Sequence, residues 1–423
     1  MKIAPNAQKS QFDVVVIGAG IGGSAMAVVL AQAGFEVLML EKSEVHKDVV
    51  RGEWLAPWGV SEANQLGLTD LYMTHGGHRI DRHVSYGELV TPAQAESLSI
   101  NIMEAAGERP LCLGHPTTCN LLNERAVELG VTFKRGVKKI SVSPGTPPQV
   151  KYLHNGTEVE LNPRLVIGAD GRNGLVAKQI GCDLDHDPEH HLFSGMLVED
   201  AHGWPEDLQV IATEGDVNVL AFPQGEGRVR IYLGWPSTDR ARLVGPDGPK
   251  RFLASWQLSS VPYAEAISTA TPISPCIAYP NFDAWVDSPV RDGVVLIGDA
   301  AGRNDPIIGQ GLSITHRDVR MVRDALTSNA TWDSSIFNEY VKERKERMAR
   351  LRTVARLTSL RESAFGEAGR ALRESIHENV ARNQDLATPY IAGFVGPHNL
   401  PAEVFSAPFV EQIVGQPIWG DLP

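Results

Sequence analysis

The chain of 423 residues is poor in cysteine and has no long hydrophobic run. Its few cysteines form no CxxC pair and have no histidine at metal-ligand spacing, so we expect no metal site and a reduced, cytoplasmic protein. No stretch reaches the roughly 18 consecutive apolar residues that a membrane helix needs, and the first residues contain no apolar signal segment. The cysteines are Cys112, Cys119, Cys182 and Cys276.

Positive charge is also scarce. The 39 Lys and Arg residues are outnumbered by 51 Asp and Glu residues, which gives a net charge of −12 and argues against a nucleic-acid partner. The densest basic stretch, residues 342–352, is interleaved with Glu and is typical of a solvated helix face. The chain is long enough for two or three domains with real cores.

What the sequence does contain is a strand, a glycine turn, a helix and a second strand between Phe12 and Lys42. The turn fits GxGxxG through Gly18, Gly20 and Gly23, and Glu41 closes the second strand. In such a unit the helix N-terminus offers free N–H groups to a pyrophosphate, and an acid about 20 residues on accepts from ribose hydroxyls. The pattern predicts a dinucleotide site, but it does not distinguish FAD from NAD.

Two further buried strands end in a Gly or Asp turn. The strand 164–168 runs into Asp170-Gly171, and the strand 293–297 ends at Gly298-Asp299. Between them, over residues 191–235, strand periodicity without helices indicates a separate antiparallel sheet. Beyond Trp332 we predict helices, and from Pro389 an irregular tail.

The third turn continues through Pro306 to Gly309-Gln310-Gly311, and the three motifs together resemble the single-component, class A FAD-dependent monooxygenases. The type member of this family is para-hydroxybenzoate hydroxylase. The resemblance implies an α/β fold with a Rossmann-like FAD-binding domain, an inserted antiparallel β-sheet substrate domain and C-terminal helices. The expected limits are 11–77, 111–182 and 290–330 for the FAD-binding domain, 78–110 and 183–289 for the substrate domain, and 331–423 for the C-terminal helical region and tail.

The resemblance also implies roles for individual residues. Pro306, Gly309 and Gln310 would lie at the reacting side of the flavin, and we take them as the catalytic positions. A helix N-terminus there favours the negative charge of reduced flavin. The expected cofactor-binding residues are Gly18, Gly20, Gly23, Glu41, Lys42, Arg51, Asp170, Gly171, Asp299, Gly311 and Leu312.

The family chemistry implies the function. NADPH or NADH would reduce FAD, O2 would add at flavin C4a, and the resulting hydroperoxide would hydroxylate or epoxidise a small aromatic or polycyclic substrate. Arg228 and Arg230 share one strand face and would hold a carboxylate or phenolate if that face looks inward. Otherwise they are surface charge. The substrate candidates, each of which strand packing would also explain, are Trp54, Pro57, Met196, Leu220, Phe222, Arg228, Arg230 and Tyr232.

Other interpretations stay open. The family commonly has His where Gly302 stands and Asn where Ser313 stands. The sequence Gly-Asp-Ala-Ala-Gly also resembles geranylgeranyl reductases and flavin halogenases, although the GWxWxIP motif of the halogenases is absent. A flavin-binding protein without enzymatic activity is a further alternative. We expect a monomer or a homodimer.

Overall fold

The computed structural model describes residues 12–48 and 52–418. In these ranges, short strands rich in Val, Ile and Leu form a six-stranded central sheet. Its strands run parallel, except that the edge strand is antiparallel to its neighbour. Their order is Val290–Arg291, Val294–Leu296, Leu165–Gly168, Val14–Ile17, Val37–Leu40 and Thr132–Lys134.

Burial on both faces explains why the inner strands of the central sheet are apolar without interruption. Val14 and Val16 enter a core on one face, whereas Val15 and Ile17 enter a core on the other. The first core is closed by the helices Ile21–Gln32, His115–Glu128 and Gly311–Ser328. The second is closed by a small sheet of the strands Lys138–Ser143, Gln149–His154 and Thr157–Leu161.

A second sheet, the large sheet, has eight strands within the described residues. Its neighbours are antiparallel, except that Arg82–Gly87 runs parallel to Leu208–Glu214. The order is Thr271–Pro272, His191–Glu199, Arg228–Pro236, Val217–Gly225, Leu208–Glu214, Arg82–Gly87 and Ile100–Asn101, with Ile277–Asn281 also beside His191–Glu199. The expected α/β fold with an additional antiparallel sheet is confirmed, and the domain limits stay a prediction.

The two faces of the large sheet have different surroundings, because side chains alternate along each strand. The far face, which includes Met196 and Ile231, forms a core with Trp256 and with the helices Gly248–Ala254 and Ala264–Ser268. The inner face carries the side chains that alternate with these, namely Leu220, Phe222, Arg228, Arg230 and Tyr232.

Two long helices, Asn338–Glu362 and Gly366–Arg382, follow the central sheet in the chain. Where we predicted an irregular tail, the structure has short helical turns instead. These turns are Gln384–Ile391, Ala392–Val395, Pro397–Asn399, Ala402–Phe405 and Ala407–Val414.

Short elements connect these parts. The other helices are Pro57–Gln65, Thr69–Met73, Pro92–Ser97, Ile102–Ala106, Val176–Gln179, Gly298–Ala301, Pro306–Ile308 and Ser334–Phe337. The other strands form two small sheets, one of Trp54–Leu55, Leu111–Cys112 and His78–Arg79, and one of Asp185–His186, Ala284–Trp285 and Gly302–Arg303.

A buried ion cluster joins the C-terminal helices to the third motif. Asp318 accepts from Arg344 Nε at 3.0 Å and from an Arg347 terminal nitrogen at 2.7 Å, and all three side chains are at most 2% exposed. Burial alone would raise the pKa of Asp318, but the two guanidiniums lower it. Arg344 also donates to carbonyl oxygens of the turn 298–302. The cluster therefore holds this turn in place.

We expect Asp318→Asn to lower the free energy of unfolding by about 3–5 kcal/mol, because it leaves the buried guanidinium of Arg344 without a counter-charge and that of Arg347 with Glu343 alone. Urea denaturation followed by circular dichroism measures the change. Asp324→Asn is the matched control in the same helix. Asp324 is 44% exposed in its contact with Arg320, so its loss should cost under about 1 kcal/mol. Equal effects of the two substitutions would contradict the interpretation.

Candidate functional site

The first glycine turn is shaped by close backbone contacts. Gly18 has φ +99°, and a Cβ atom there would lie 2.7 Å from the carbonyl carbon of Ala169. A Cβ on Gly23 would lie 3.0 Å from the carbonyl carbon of Gly18. By contrast, a Cβ on Gly20 would meet nothing within 4 Å. Two glycines thus allow tight packing, and Gly20 borders open space.

The carboxylate of Glu41 supports this turn directly. Glu41 Oε2 accepts from the backbone N–H of Ala19 at 2.8 Å, and Oε1 accepts from that of Ser43 at 2.8 Å. The side chain is 8% exposed. The expected contact of Glu41 with an adenosine ribose stays a prediction. Lys42 is exposed, and Arg51 lies outside the described residues.

The second motif is organised by Asp170. Its Oδ2 atom accepts from the backbone N–H groups of Leu175 at 2.6 Å and Val176 at 3.1 Å, and thereby holds the start of a short helix. Its Oδ1 atom is buried and has no hydrogen-bond partner. Burial raises the pKa of Asp170. Gly171 follows with φ +76°, in the left-handed region.

The third motif places Asp299, which is partly exposed, in the turn Gly298–Ala301. Two departures from the family pattern have local explanations. Gly302 has φ +110°, and a Cβ there would lie 2.6 Å from the carbonyl oxygen of Ala284. Ser313 is buried, and its hydroxyl accepts from the backbone N–H of Ala56 at 3.2 Å.

The loop that follows is held from within the protein. Asp305 Oδ1 accepts from the backbone N–H of Ile307 at 2.9 Å, which caps the short helix beginning at Pro306. Gly309 has φ +65°, and a Cβ there would lie 2.9 Å from Cε3 of Trp54. The backbone of Gly309 therefore lies against the Trp54 ring with no room for a side chain.

Gln310 joins three parts of the chain. Its Oε1 atom accepts from Trp58 Nε1 at 2.7 Å, and Nε2 donates to the carbonyl oxygens of Ile308 at 2.5 Å and Gly393 at 3.2 Å. The side chain is 1% exposed and all of these contacts are internal. The side chain of Gln310 thus positions the loop, and a direct catalytic role stays a prediction.

The three motifs fit a phosphate-bearing dinucleotide. The helices that begin after Gly20 and Gln310 have no side-chain cap at their N-termini. A Cβ on Gly311 would, like one on Gly20, meet nothing within 4 Å. Free N–H groups beside open space are donors that the phosphates of a dinucleotide would satisfy.

A cavity of about 310 Å³ adjoins the third-motif loop. Its walls come from the inner face of the large sheet, from the loop itself and from the C-terminal helices. Tyr390 and Phe394 belong to the segment that we predicted to be irregular. Apolar lining residues include Ile211, Leu220, Phe222, Ile307, Ile308, Tyr390, Ile391 and Phe394.

The structure separates the substrate candidates. Trp54, Leu220 and Phe222 line the cavity. Tyr232 packs next to them, with its ring centre 6.0 Å from that of Phe222. Met196 lies in the core of the far face and is fully buried there.

The remaining candidates do not line the cavity. Pro57 is the first residue of the helix Pro57–Gln65. Arg228 lies at the end of its strand, 42% exposed and 3.6 Å from a carboxylate oxygen of Glu226. Arg230 is inward-facing, as one of our two readings required, but it is fully paired by the protein.

Arg230 is 1% exposed and donates to both carboxylate oxygens of Glu53, at 2.8 and 2.9 Å. It also contacts Asp48 at 3.2 Å and Ser274 at 3.3 Å. Glu53 in turn accepts from Gln224. Since its donors are taken by protein groups, Arg230 is poorly placed to bind a substrate carboxylate.

Several polar residues of the cavity were not among the residues predicted from the sequence. His83 Nδ1 accepts from Gln209 Nε2 at 3.2 Å, and its Nε2 lies 3.3 Å from Ser85 Oγ. Burial lowers the pKa of His83 to about 4, so the ring is neutral. Arg361 stacks on Tyr390, 5.0 Å from the ring centre. The alternation of residues 78–89 indicated a half-buried strand, but nothing local marked His83 as a cavity residue.

A second group of titratable side chains lies behind the loop. Asn281 Nδ2 donates to His191 Nε2 at 2.9 Å, which leaves the proton of His191 on Nδ1, 2.9 Å from His190 Nδ1. His190 Nε2 lies 3.3 Å from Asp305. Burial lowers the pKa of His190 to about 4 and raises that of Asp305. Neutral histidines account for the contacts of His191, whereas Asp305 Oδ2 is buried without a hydrogen-bond partner. The side chains of His190, His191 and Asp305 are close enough together to ligate one metal ion.

Comparisons with known proteins agree with this geometry. A family described as FAD binding domain matches residues 11–355. The chain belongs to this FAD-binding family. Its oxidoreductase character and the resemblance to the class A FAD-dependent monooxygenases are thereby confirmed, whereas the reaction is a separate question.

Relatives of this FAD-binding protein include enzymes of different kinds. It is 27% identical to digeranylgeranylglycerophospholipid reductase 1 of Methanococcoides burtonii over 319 residues, and this match covers 72% of each chain. It is 25% identical over 320 residues to squalene epoxidase 2, mitochondrial, of Arabidopsis thaliana, which covers 74% of this chain and 54% of the other. The p-nitrophenol 4-monooxygenase of Pseudomonas putida has the same fold, with a TM-score of 0.74, 17% identity, and coverage of 89% of this chain and 96% of the other.

Across residues 12–48 and 52–418, no helix of this FAD-binding protein combines the length and the apolar character that crossing a bilayer requires.

We expect Gly20→Ala to weaken FAD binding at least about tenfold and to leave the fold intact. The new methyl group would contact no protein atom, but it would occupy the space that a pyrophosphate lying against the turn needs. Titration of apoprotein with FAD, followed by flavin fluorescence, measures the affinity, and circular dichroism checks the fold. Gln32→Ala, at the exposed far end of the same helix, is the control. Unchanged FAD affinity in Gly20→Ala would place the pyrophosphate elsewhere.

Asp299→Ala should yield protein that purifies with little or no FAD, because the variant lacks the carboxylate expected to bind the cofactor. The ratio of flavin absorbance to protein absorbance measures the FAD content. Asp292→Ala, in the turn before the strand Val294–Leu296, serves as the control. A fully flavinated Asp299→Ala protein would mean that the third motif is misassigned.

Proposed function

We propose that this protein is a monooxygenase that uses NADPH or NADH and O2 to hydroxylate or epoxidise a small aromatic or polycyclic compound. The observation that supports the proposal is the cavity, which is largely apolar and borders the loop from Ile307 to Gly309. A largely apolar cavity between this loop and the large sheet suits the binding of an organic molecule. FAD, when bound, supplies the redox and oxygen chemistry.

The protein's own contribution is positioning and the exclusion of water. Trp54, Phe222 and Phe394 form an aromatic wall, with ring centres 5.7 Å apart for Trp54–Phe222 and 6.3 Å apart for Trp54–Phe394. Leu220 and Ile307 extend this wall on the side of the large sheet. An apolar wall of this kind would hold a planar substrate in one orientation and limit side reactions with water.

The N-terminus of the helix Gly311–Ser328 would stabilise negative charge on the reduced cofactor. Its first N–H groups lack a side-chain cap. These donors and the positive end of the helix dipole favour negative charge that develops beside them. Gln310 fixes this end of the helix through its contacts with Trp58 and Gly393.

A reductase that adds hydrogen to an unsaturated substrate is the second candidate. The 27% identical relative is a reductase of an isoprenoid lipid, and Gly302 stands where the hydroxylase pattern commonly has His. The backbone at Gly302 leaves no space for a side chain, so the Gly-Asp-Ala-Ala-Gly turn is built into this fold. The cavity walls would suit an isoprenoid chain as well as an aromatic ring.

Turnover under ¹⁸O2 distinguishes the two reactions. A screen of aromatic and isoprenoid compounds for accelerated NAD(P)H oxidation first finds a substrate, and mass spectrometry then analyses the product. The monooxygenase should place one ¹⁸O atom in the product. A product that gains two hydrogens and no label would support the reductase and contradict the monooxygenase proposal.

The screen needs a control for uncoupled oxidation, in which NAD(P)H is consumed without product. Hydrogen peroxide is therefore measured in parallel. Purified holoprotein whose flavin neither coenzyme bleaches, with or without candidate substrates, would count against both enzymatic proposals.

A further inference from the structure

Two of the described residues that line the cavity are arginines, and the protein uses them differently. Arg373 is 3% exposed and donates to Glu88 at 2.7 Å and to the carbonyl oxygen of Ala364 at 3.1 Å. The side chain of Arg361 is 38% exposed, and none of its nitrogen atoms donates a hydrogen bond to a described residue. One guanidinium at the cavity is therefore available to a bound molecule.

Two contacts hold the guanidinium of Arg361 in place. Its Nε atom lies 3.1 Å from Glu362 Oε1, and its central carbon lies 5.0 Å from the ring centre of Tyr390. Glu362 is held in turn, because its Oε2 atom accepts from the Thr213 hydroxyl at 3.0 Å. These contacts position the guanidinium, but its two terminal nitrogens have no hydrogen-bond acceptor in the part of the chain that the structure describes.

The unpaired nitrogens of Arg361 have accessible surface. Arg228 and Arg352 each have a buried, unpaired Nε atom, whereas no nitrogen of Arg361 is both buried and unpaired. Since the nitrogens of Arg361 make no hydrogen bond, they are accessible. Tyr390, on which Arg361 stacks, lines the same cavity. The pKa of His83, another lining residue, is lowered first by burial and then by the charge of Arg361, so the guanidinium lies near both residues.

The rest of the cavity wall is largely apolar. Leu220, Phe222 and Ile307 contribute apolar side chains, and the charge of Arg230 on the inner face of the sheet is neutralised by Glu53. Among the described lining residues, a ligand with an apolar body would therefore meet one accessible guanidinium, and this group belongs to the C-terminal helices rather than to the sheet.

The size of the cavity limits the apolar body of the ligand. An apolar cavity of about 150 Å³ is known to hold one benzene molecule. The present cavity has a volume of about 310 Å³. By this comparison, a compact body of about one to three fused rings would fit.

A carboxylate is the anion that suits the free end of this guanidinium. Two parallel N–H···O bonds can join a guanidinium to a carboxylate, and such charge-assisted bonds are about twice as strong as neutral ones. The ligand would share Arg361 with Glu362, whose carboxylate lies beside Nε and leaves the terminal nitrogens without a hydrogen bond. Because Arg361 is partly exposed, pairing it costs less desolvation than forming a fully buried ion pair.

We propose that Arg361 is a specificity-determining residue, which binds the carboxylate of an organic acid through its terminal nitrogens while the rings of the acid occupy the apolar part of the cavity. The proposal rests on the proposed use of this cavity as the substrate site. It places the anionic anchor on the helix Asn338–Glu362, whereas the arginines that we predicted from the sequence, Arg228 and Arg230, lie on a strand of the large sheet.

Isothermal titration calorimetry of the oxidised holoprotein tests the proposal without turnover. The probes are benzoate, 2-naphthoate and anthracene-2-carboxylate, each paired with its amide, which has nearly the same shape but no charge. We expect the acid that fits best to bind at least about tenfold more tightly than its amide, because only the acid forms the ion pair with Arg361. If no acid bound more tightly than its amide, the proposal would be overturned.

Two variants should change acid binding in opposite directions. Arg361→Met should weaken the acid at least about tenfold and leave its amide unchanged, because it removes only the charge that the acid uses. Glu362→Gln should tighten the acid, because it removes the competing carboxylate while its amide oxygen can still accept from Thr213. FAD content and circular dichroism are checked first, so that only folded holoproteins are compared. If both variants weakened acid and amide alike, the effect would be structural and the assigned role would be wrong.

Arg352→Met is the matched control. Arg352 belongs to the same helix and also stacks on an aromatic ring, with its guanidinium carbon 3.7 Å from the ring centre of Trp285, but it does not line the cavity. This variant should bind every probe as the unaltered protein does. An equal loss of acid binding in Arg352→Met and Arg361→Met would contradict a specific contact. Failure of the broader function is recognised separately, because product without ¹⁸O contradicts the monooxygenase and leaves the binding pattern standing.

Discussion

The ion cluster of Asp318, Arg344 and Arg347 holds the turn 298–302 of the third motif in place relative to the C-terminal helices that line the cavity. Three charges buried together are stable only when their donors and acceptors are satisfied. Here backbone carbonyls of residues 298–302 supply the remaining partners of Arg344, and Glu343 supplies one for Arg347. The cluster joins the helix that follows the third motif to the long helix Asn338–Glu362. The latter runs on to Arg361 and Glu362 in the cavity wall. One network therefore positions both the loop and the helices that cover the cavity.

A second buried ion pair neutralises the charge of Arg230 on the inner face of the large sheet. Arg230 reaches across from the large sheet to Glu53 and Asp48, in the segment after the first nucleotide-binding unit. The pair links the two main parts of the protein through side chains that are distant in sequence. Because it consumes the charge of Arg230, the inner face of the sheet is left largely apolar where it meets the cavity. The sheet thus offers packing and a few neutral polar groups, rather than a cationic anchor.

The relatives of this chain show that the scaffold supports more than one reaction. Their names include a lipid reductase and a squalene epoxidase, and both share the FAD-binding framework at similar identity. The chemistry is therefore decided at the cavity and at the loop rather than by the fold. In this chain, the relevant local features are the Gly309 backbone against Trp54, the helix N-terminus at Gly311 and the neutral His83.

The sequence by itself determined the nucleotide-binding architecture. Tight glycine turns, doubly buried strands and helix ends follow from backbone sterics and from burial within about 30 residues. Gly18 and Asp170 therefore lie in the turns that we predicted, and Gly23 lies in the first turn of the helix that follows. Alternation also placed Arg228 and Arg230 on one strand face. Alternation alone does not show whether that face points toward the protein interior, because the sequence of one strand does not specify which elements pack against it.

Only the tertiary structure decided the cavity and its polarity. Arg230 meets a carboxylate 177 residues away, and Trp54 meets a ring from the C-terminal segment. Met196, an apolar strand residue that we also predicted as a substrate contact, faces the core on the far side of the large sheet. Such contacts depend on how complete elements pack and on which buried charges find partners. Local residue spacing does not encode such long-range contacts. The glycine turns, by contrast, depend on the backbone conformation of a few neighbouring residues.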